Sequence, residues 1–239
     1  MAVILAAGRG ERLAPITRGR PKALVEVASG LTLLELAIRS LRAAGLEELV
    51  VVSGYMGHKI EEALAGQEGI RIVRNPEYWR ENGFSLLKAS EAVGSEEFVL
   101  TMADHLFEPS IPRAAASAGP LALCVDREPR YLLSVEEATK VELAPDGSIR
   151  AIGKHLGRWD ACDTGVFVCD ERMLWAAREL ARQSFSITVS DCVRFLISRG
   201  YTFRTVDVSG SLWTDVDTPE ALAHAKEKVL PGLLRAFGT

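Results

Sequence analysis

The sequence contains no apolar run approaching the ~20 residues that a helix needs to cross a bilayer, so no membrane insertion is expected. Its opening, MAVILAAG, lacks the cationic start and the length of a signal peptide and reads as a β-strand. Cysteine is scarce: Cys124, Cys162, Cys169 and Cys192 form no Cys-x-x-Cys pair, and no histidine stands at zinc-finger spacing. Each lies among apolar neighbours, which suits buried, inert thiols in a reducing cytoplasm. A basic excess is missing too. With 28 Lys and Arg against 32 Asp and Glu, the net charge of −4 argues against general nucleic-acid binding and makes any basic cluster a local device. Linker-like, low-complexity and repeated segments are absent, so residues 1–239 are expected to form one domain. A hydrophobic content of 48% is ordinary for a globular chain with a substantial core.

What is present is an alternation of strand and helix patterns. AVILAA and LEELVVVSGY are short β-branched runs; between them Leu34, Ala37, Ile38, Leu41 and Ala44 recur at helical spacing before Gly45. HKIEEALAG suggests a helix, IRIVRN a strand, GFSLLKASEAVG a helix and EEFVLTMADH a strand. Such alternation implies parallel pairing, right-handed crossovers and a three-layer α/β/α sandwich. After about residue 120 the pattern becomes strand-rich: PLALCVD, TKVELAPDGSIRAIGK with an Asp146-Gly147 turn, and ACDTGVFVCD. Helices are expected near 171–183 and 188–199, then the strand YTFRTVDV. A further helix is capped by Thr218, with Pro219 at its first position. The mixed second half reads as an insertion into the sheet built by the first.

Residues 5–27, LAAGRGERLAPITRGRPKALVEV, set Arg9, Arg12, Arg18, Arg20 and Lys22 around a glycine loop. A turn needs the glycines but not the cations; an anion-binding loop needs both. The loop is no P-loop, because Gly8 and Gly10 are too close and no Gly-Lys pair follows. It is no dinucleotide fingerprint either, since Leu13 stands where the third glycine belongs and the second strand ends in Ser53-Gly54 rather than an acid. A loop whose N–H groups face a polyphosphate, helped by side-chain cations, is left beside a plain turn with solvated arginines. FVLTMADHLF runs an apolar strand straight into Asp104, at the strand end where open α/β sheets bind ligands. A turn or helix-capping role is the alternative there. In LWTDVDTPEAL, Asp215 and Asp217 alternate on an extended segment and so can point the same way. His105 follows Asp104, but strand alternation turns it the other way, and His58, His155 and His224 look like surface residues, so no histidine is assigned as a base.

The glycine loop with PKALVEV nine residues after Arg12 resembles the N-terminal signature of nucleotidyltransferases that couple a nucleoside triphosphate to a phosphorylated sugar, polyol or choline. The resemblance covers residues 3–27 almost without a gap and implies that the loop Leu5, Ala6, Ala7, Gly8, Arg9, Gly10, Glu11 and Arg12 wraps the triphosphate. It also implies that Arg12 and Lys22 bind phosphates, and that a divalent metal, Mg²⁺, is held by Asp104 with Asp215, Asp217 or both. The segment WTDVDTPE resembles the family's W-x-D-x-G-T metal motif with Asp217 in place of the glycine, which leaves open whether Asp215, Asp217 or both touch the metal.

Further along, NPEYWRENGFSLLKAS resembles the nucleobase-side stretch of cytidylyltransferases, with Asn75, Asn82 and Ser85 able to read a base edge or simply to form turns. MADHLF, DREPRYLLSVEEATKVEL, IGKHL, DACDTGVFV and WTDVDT together look like the CTP:inositol-1-phosphate cytidylyltransferases. That likeness runs over most of the chain. It implies a Rossmann-like nucleotidyltransferase fold with a mixed sheet and a strand-rich acceptor insertion, with residues 1–119 mainly for the nucleotide and 120–239 mainly for the acceptor. The expected partners are CTP and a phosphorylated polyol, and the product would suit a separate membrane-bound transferase. Arg12, Lys22 and Asp104 are the expected catalytic residues, and Lys154 is expected at the acceptor phosphate. From DACDTG, Asp160, Asp163 and Thr164 could bond ring hydroxyls, unless Asp163 merely bonds nearby backbone. Two other readings stay open: phosphocholine or a sugar 1-phosphate as acceptor, with UTP or another nucleotide as donor, and a non-catalytic nucleotide sensor on the same fold.

Overall fold

A computed structural model describes residues 1–238. Strands are β1 (Ala2–Ala6), β2 (Glu26–Ala28), β3 (Leu31–Thr32), β4 (Leu49–Ser53), β5 (Ile70–Arg74), β6 (Phe98–Met102), β7 (His105–Phe107), β8 (Ala122–Asp126), β9 (Lys140–Leu143), β10 (Ile149–Gly153), β11 (Ala161–Cys169), β12 (Arg204–Asp207) and β13 (Trp213–Asp215). Helices are α1 (Ala14–Thr17), α2 (Leu33–Ala43), α3 (Gly57–Ala63), α4 (Asn82–Val93), α5 (Ser110–Ala116), α6 (Glu171–Ala181), α7 (Val189–Ser198), α8 (Pro219–His224) and α9 (Leu230–Ala236).

The main sheet runs β10-β9-β11-β6-β1-β4-β5, with β8 and β12 attached beside β11. β1 is an internal strand: every residue is buried and apolar, and it pairs in parallel with both β4 and β6. Side chains alternate across it. Val3 and Leu5 join a core with Phe84, Met173 and Val193 of α4, α6 and α7. Ala2, Ile4 and Ala6 join the opposite core with Ile38, Ile60 and Ile111 of α2, α3 and α5. A strand buried on both faces must be apolar throughout, which is why AVILA shows no period-2 pattern.

The strand-rich half enters this same sheet. β11 is antiparallel to β6, β8 and β9 and so joins both halves edge to edge. The β9–β10 hairpin turns at Gly147, and Thr218 caps α8 by accepting from the Ala221 N–H at 3.2 Å. A separate two-stranded ladder, β7 with β13, sets Asp215 opposite His105. The N–H of Val216 donates to the Asp104 carbonyl at 2.9 Å, extending this contact. Trp213 anchors the ladder: its side chain is buried and its Nε1 donates to Asp126 Oδ2 at 2.7 Å. The strand ends that carry Asp104, Asp215 and Asp217 are thereby held together.

Candidate active site

The glycine loop leaves β1 with Leu5, Ala6 and Ala7 buried and Gly8, Arg9, Glu11 and Arg12 exposed. Gly10 is required twice over. Its φ is +66°, and a Cβ there would stand 2.7 Å from Lys22 Cβ. The stem of Lys22 therefore packs directly on the loop backbone, and its ammonium is delivered to the strand ends. Arg9 takes another course: its guanidinium lies 5.7 Å from the Tyr55 ring centre and 5.4 Å from that of Tyr78.

Lys22 is buried, and its Nζ donates to Asp104 Oδ2 at 2.7 Å and to Asp217 Oδ1. Arg12 donates to the other oxygen of Asp217 at 2.5 Å and to Glu137 at 2.9 Å. Asp104 Oδ1 meets His105 Nδ1 at 2.8 Å. Cations and carboxylates thus alternate from the glycine loop across the strand ends to the segment before β9. Burial alone would raise the Asp104 pKa, but the Lys22 ammonium and the His105 imidazole hold it far below the usual carboxylate range. Burial opposes a charged Lys22 as well, and the two carboxylates overcome it and raise its pKa. For His105 burial works downward, and the hydrogen bond and charge of Asp104, with Asp215 and Asp163 adding, lift it to about 9. Asp215 is raised by burial, with Asp217 and Asp104 adding to it. Burial also pushes Asp163 up to about 6, against the Gly165 N–H and His105.

The placement of His105 corrects the expectation from strand alternation. β6 ends at Met102, the chain turns at Ala103 and Asp104, and β7 starts afresh at His105, so the alternation does not run through. Gly165 makes room for the ring: its φ is +77°, and a Cβ would stand 2.4 Å from His105 Cδ2. The other histidines lie apart from this cluster; His155 is exposed at the cleft rim and His224 bonds the Tyr131 carbonyl.

Beside the charge network opens a cleft of about 540 Å³. Arg12, Asp104, Asp215 and Asp217 line one side, and Asp163, Lys154 and Arg194 others. Lys154 is exposed at the end of β10, and its carbonyl accepts from the buried Lys140 ammonium, which also donates to the carbonyls of Glu136 and Ala138. Asp163 both faces the cleft and accepts from the Gly165 N–H at 2.7 Å. Its expected companions do not join it. Thr164 alternates to the opposite face, where it is fully buried and donates to the Cys124 carbonyl at 2.8 Å. Asp160 accepts from the Leu143 N–H. Of the three residues expected to read a base, Asn75 and Ser85 are buried and bonded to each other at 3.1 Å. Asn82 lines the cleft while its Oδ1 accepts from the Val189 N–H. Glu137 carried no sequence signal: it lies 125 residues from the arginine it pairs with.

Among the described residues no three or more His, Cys, Asp or Glu side chains form a metal cage. Asp104 and Asp217 nevertheless each aim one oxygen at a single cationic group, the Lys22 ammonium, with Asp215 near enough to be perturbed by both. Two hard oxygens converging on one cation match the habit of Mg²⁺, which takes one or two carboxylates and completes its sphere with phosphate oxygens and water. No helix among the described residues is long and apolar enough to cross a membrane.

A family model described as the MobA-like NTP transferase domain matches residues 2–182. The chain is 41% identical over 232 residues to the bifunctional IPC transferase and DIPP synthase of Rubrobacter xylanophilus, covering 96% of this chain and 52% of that protein. It is 34% identical over 240 residues to the protein of the same name from Aquifex aeolicus, covering 99% and 53%. The chain thus spans about half the length of the curated relatives it matches. Among solved structures, the inositol-1-phosphate CTP transferase from T. maritima superposes with a TM-score of 0.83 at 27% identity, over 95% of this chain and 96% of that one. A UDP-glucose pyrophosphorylase shares the fold, with a TM-score of 0.78 at 17% identity over 97% and 98%.

Proposed function

Because the chain belongs to the family of MobA-like NTP transferase domains, we propose that it transfers the cytidylyl group of CTP to inositol 1-phosphate, giving CDP-inositol and pyrophosphate. The observation that carries this reading is the joining of Arg12 and Lys22 to the strand-end carboxylates Asp104 and Asp217 beside a polar cleft. Donor and acceptor are taken from the inositol-1-phosphate CTP transferase of T. maritima, on which this chain superposes over most of its length. Residues 1–119 would chiefly hold the nucleotide and 120–239 the acceptor.

In this reaction an acceptor phosphate oxygen bonds to the α-phosphorus of CTP. The bond from that phosphorus to the oxygen bridging the β-phosphate breaks in line, and its electron pair leaves with pyrophosphate. No base is needed, because a phosphate monoester with a second pKa near ~6 is largely dianionic at neutral pH. Lys22 and Arg12 exchange carboxylate partners for the β- and γ-phosphates, where fixed cations stabilise the charge gathering on the leaving group. Asp104, with Asp217 and Asp215 beside it, would hold Mg²⁺, which supplies charge neutralisation on the phosphates when bound. His105 fixes the Asp104 carboxylate through its 2.8 Å contact. Lys154, at the cleft wall, takes the acceptor phosphate.

A quaternary-ammonium acceptor is less well served, since it is held by aromatic faces. The two aromatic residues in the cleft lining, Trp213 and Phe167, are buried, with the Trp213 indole bonded to Asp126, and Tyr78 packs with Trp79 and Arg9 outside that lining. A silent nucleotide sensor has no need for both cations and all three carboxylates. The cysteines, all free and buried, support a reducing, cytoplasmic setting. The product is an activated donor, and a separate membrane-bound transferase would consume it. Phosphorus NMR of protein incubated with CTP, inositol 1-phosphate and Mg²⁺ tests the reading. The expected spectrum gains the paired resonances of a nucleoside diphosphate ester together with pyrophosphate; unchanged CTP and acceptor would contradict it.

A further inference from the structure

Of the four non-glycine residues with positive φ among the described residues, Arg18, Met56, Glu81 and Leu121, only Glu81 lines the cleft. Its φ of 68° and ψ of 175° fall in a region of backbone space that is essentially reserved for glycine. The flanking chain is pinned there. The Gly83 N–H donates to the Ile187 carbonyl at 2.9 Å, and the Ile187 N–H donates back to that of Arg80 at 3.3 Å. Arg80 Nε donates to the Phe185 carbonyl at 2.7 Å while its guanidinium lies 3.7 Å from the centre of the Phe84 ring. Asn82 Oδ1 accepts from the Val189 N–H at 2.9 Å. Residues 80–83 are thus laced to residues 185–189, and the strained residue is overdetermined by its neighbours.

A turn by itself would be met with least strain by glycine. Here a glutamate occupies the position, and among the described residues no hydrogen bond or ion pair reaches its carboxylate. We propose that Glu81 is a specificity-determining residue whose carboxylate accepts hydrogen bonds from the hydroxyl groups of the polyol acceptor. The strained backbone is what presents that carboxylate to the cleft. An ionised carboxylate is purely an acceptor and its two oxygens can take adjacent hydroxyls. It repels the phosphate of the same ligand, so the phosphate end is directed to Lys154 and the hydroxyl end to Glu81. This rests on the function proposed above.

The test compares wild type with Glu81→Gly and Glu81→Gln by thermal melting and by steady-state kinetics with CTP and inositol 1-phosphate. Glycine relieves the backbone and removes the carboxylate. The expected result is a melting temperature raised by about 2–4 °C and an acceptor KM raised roughly 10- to 100-fold, with the KM for CTP within about twofold. Glutamine keeps the strain and one acceptor oxygen, so it should melt like wild type and raise the acceptor KM less. A glycine variant with a wild-type acceptor KM, one that melts lower, or an effect confined to CTP overturns the assignment. A wild type that turns over no inositol 1-phosphate contradicts the proposed function instead, and the same comparison is then made on the acceptor it does use.

Discussion

The Lys22 ammonium lies 2.7 Å from Asp104 Oδ2, joining a loop residue to a strand end 82 positions away. This contact sets a proposed leaving-group cation against a proposed metal-ligating carboxylate. Asp104→Asn keeps the shape and removes the charge. Turnover should fall at least on the order of hundreds-fold, while circular dichroism shows an intact fold. Near-normal Mg²⁺-dependent activity would show that Asp104 binds no metal. Separate Asp215→Asn and Asp217→Asn variants then rank the remaining carboxylates, with Asp217 expected to matter more because it shares the Lys22 ammonium.

Lys22→Ala should lower kcat/KM for CTP far more than it raises the acceptor KM, since charge grows on the leaving group only as the bond breaks. An effect confined to the acceptor KM would place Lys22 in the other half of the site.

Gly10→Ala tests how Lys22 is delivered. The added Cβ would stand 2.7 Å from Lys22 Cβ on a backbone with φ of +66°. A stability loss on the order of 1–3 kcal/mol is expected, together with reduced kcat/KM for CTP. Wild-type melting and kinetics would show that the loop does not need this close approach.

Asp163 gives a pH dependence of stability. Its folded pKa is raised to about 6 from 3.8 by burial. Its contribution to stability is therefore fully present below the unfolded value and is lost as pH rises through 6. Asp163→Asn keeps the acceptor oxygen for the Gly165 N–H and cannot ionise. Its melting advantage over wild type should be greater at pH 7.5 than at pH 5, by roughly 1–2 kcal/mol from linkage. A pH-independent difference would mean that the carboxyl titrates normally.

Much of the fold was legible because burial leaves a pattern. AVILA is apolar throughout since β1 is covered on both faces, and the helical spacing of Leu34, Ala37, Ile38 and Leu41 marks the buried side of α2. The glycine loop and the aspartates at strand ends were legible because cations and carboxylates stand out against apolar strands. His105 was not, because alternation assumes an unbroken strand and the chain turns at Asp104. Thr164 went the other way: residue type suggested a hydroxyl contact, while strand alternation sends it to Cys124. Asn75 and Ser85 satisfy each other rather than face the cleft. Glu137 reaches Arg12 only through tertiary folding, and the backbone of Glu81 is imposed by its lacing to residue 187. Neither leaves a trace in local spacing.

Pyrophosphate release from CTP, measured with inositol 1-phosphate, phosphocholine and glucose 1-phosphate in parallel, tests the central claim most directly. A cleft that offers carboxylates to ring hydroxyls leaves polar groups unpaired when the ligand has none, and such discrimination can reach ~10⁴. The expected result is Mg²⁺-dependent release with inositol 1-phosphate far above that with phosphocholine, and loss of this preference in Asp163→Ala. Equal rates with phosphocholine, or no release with inositol 1-phosphate, would contradict the assignment.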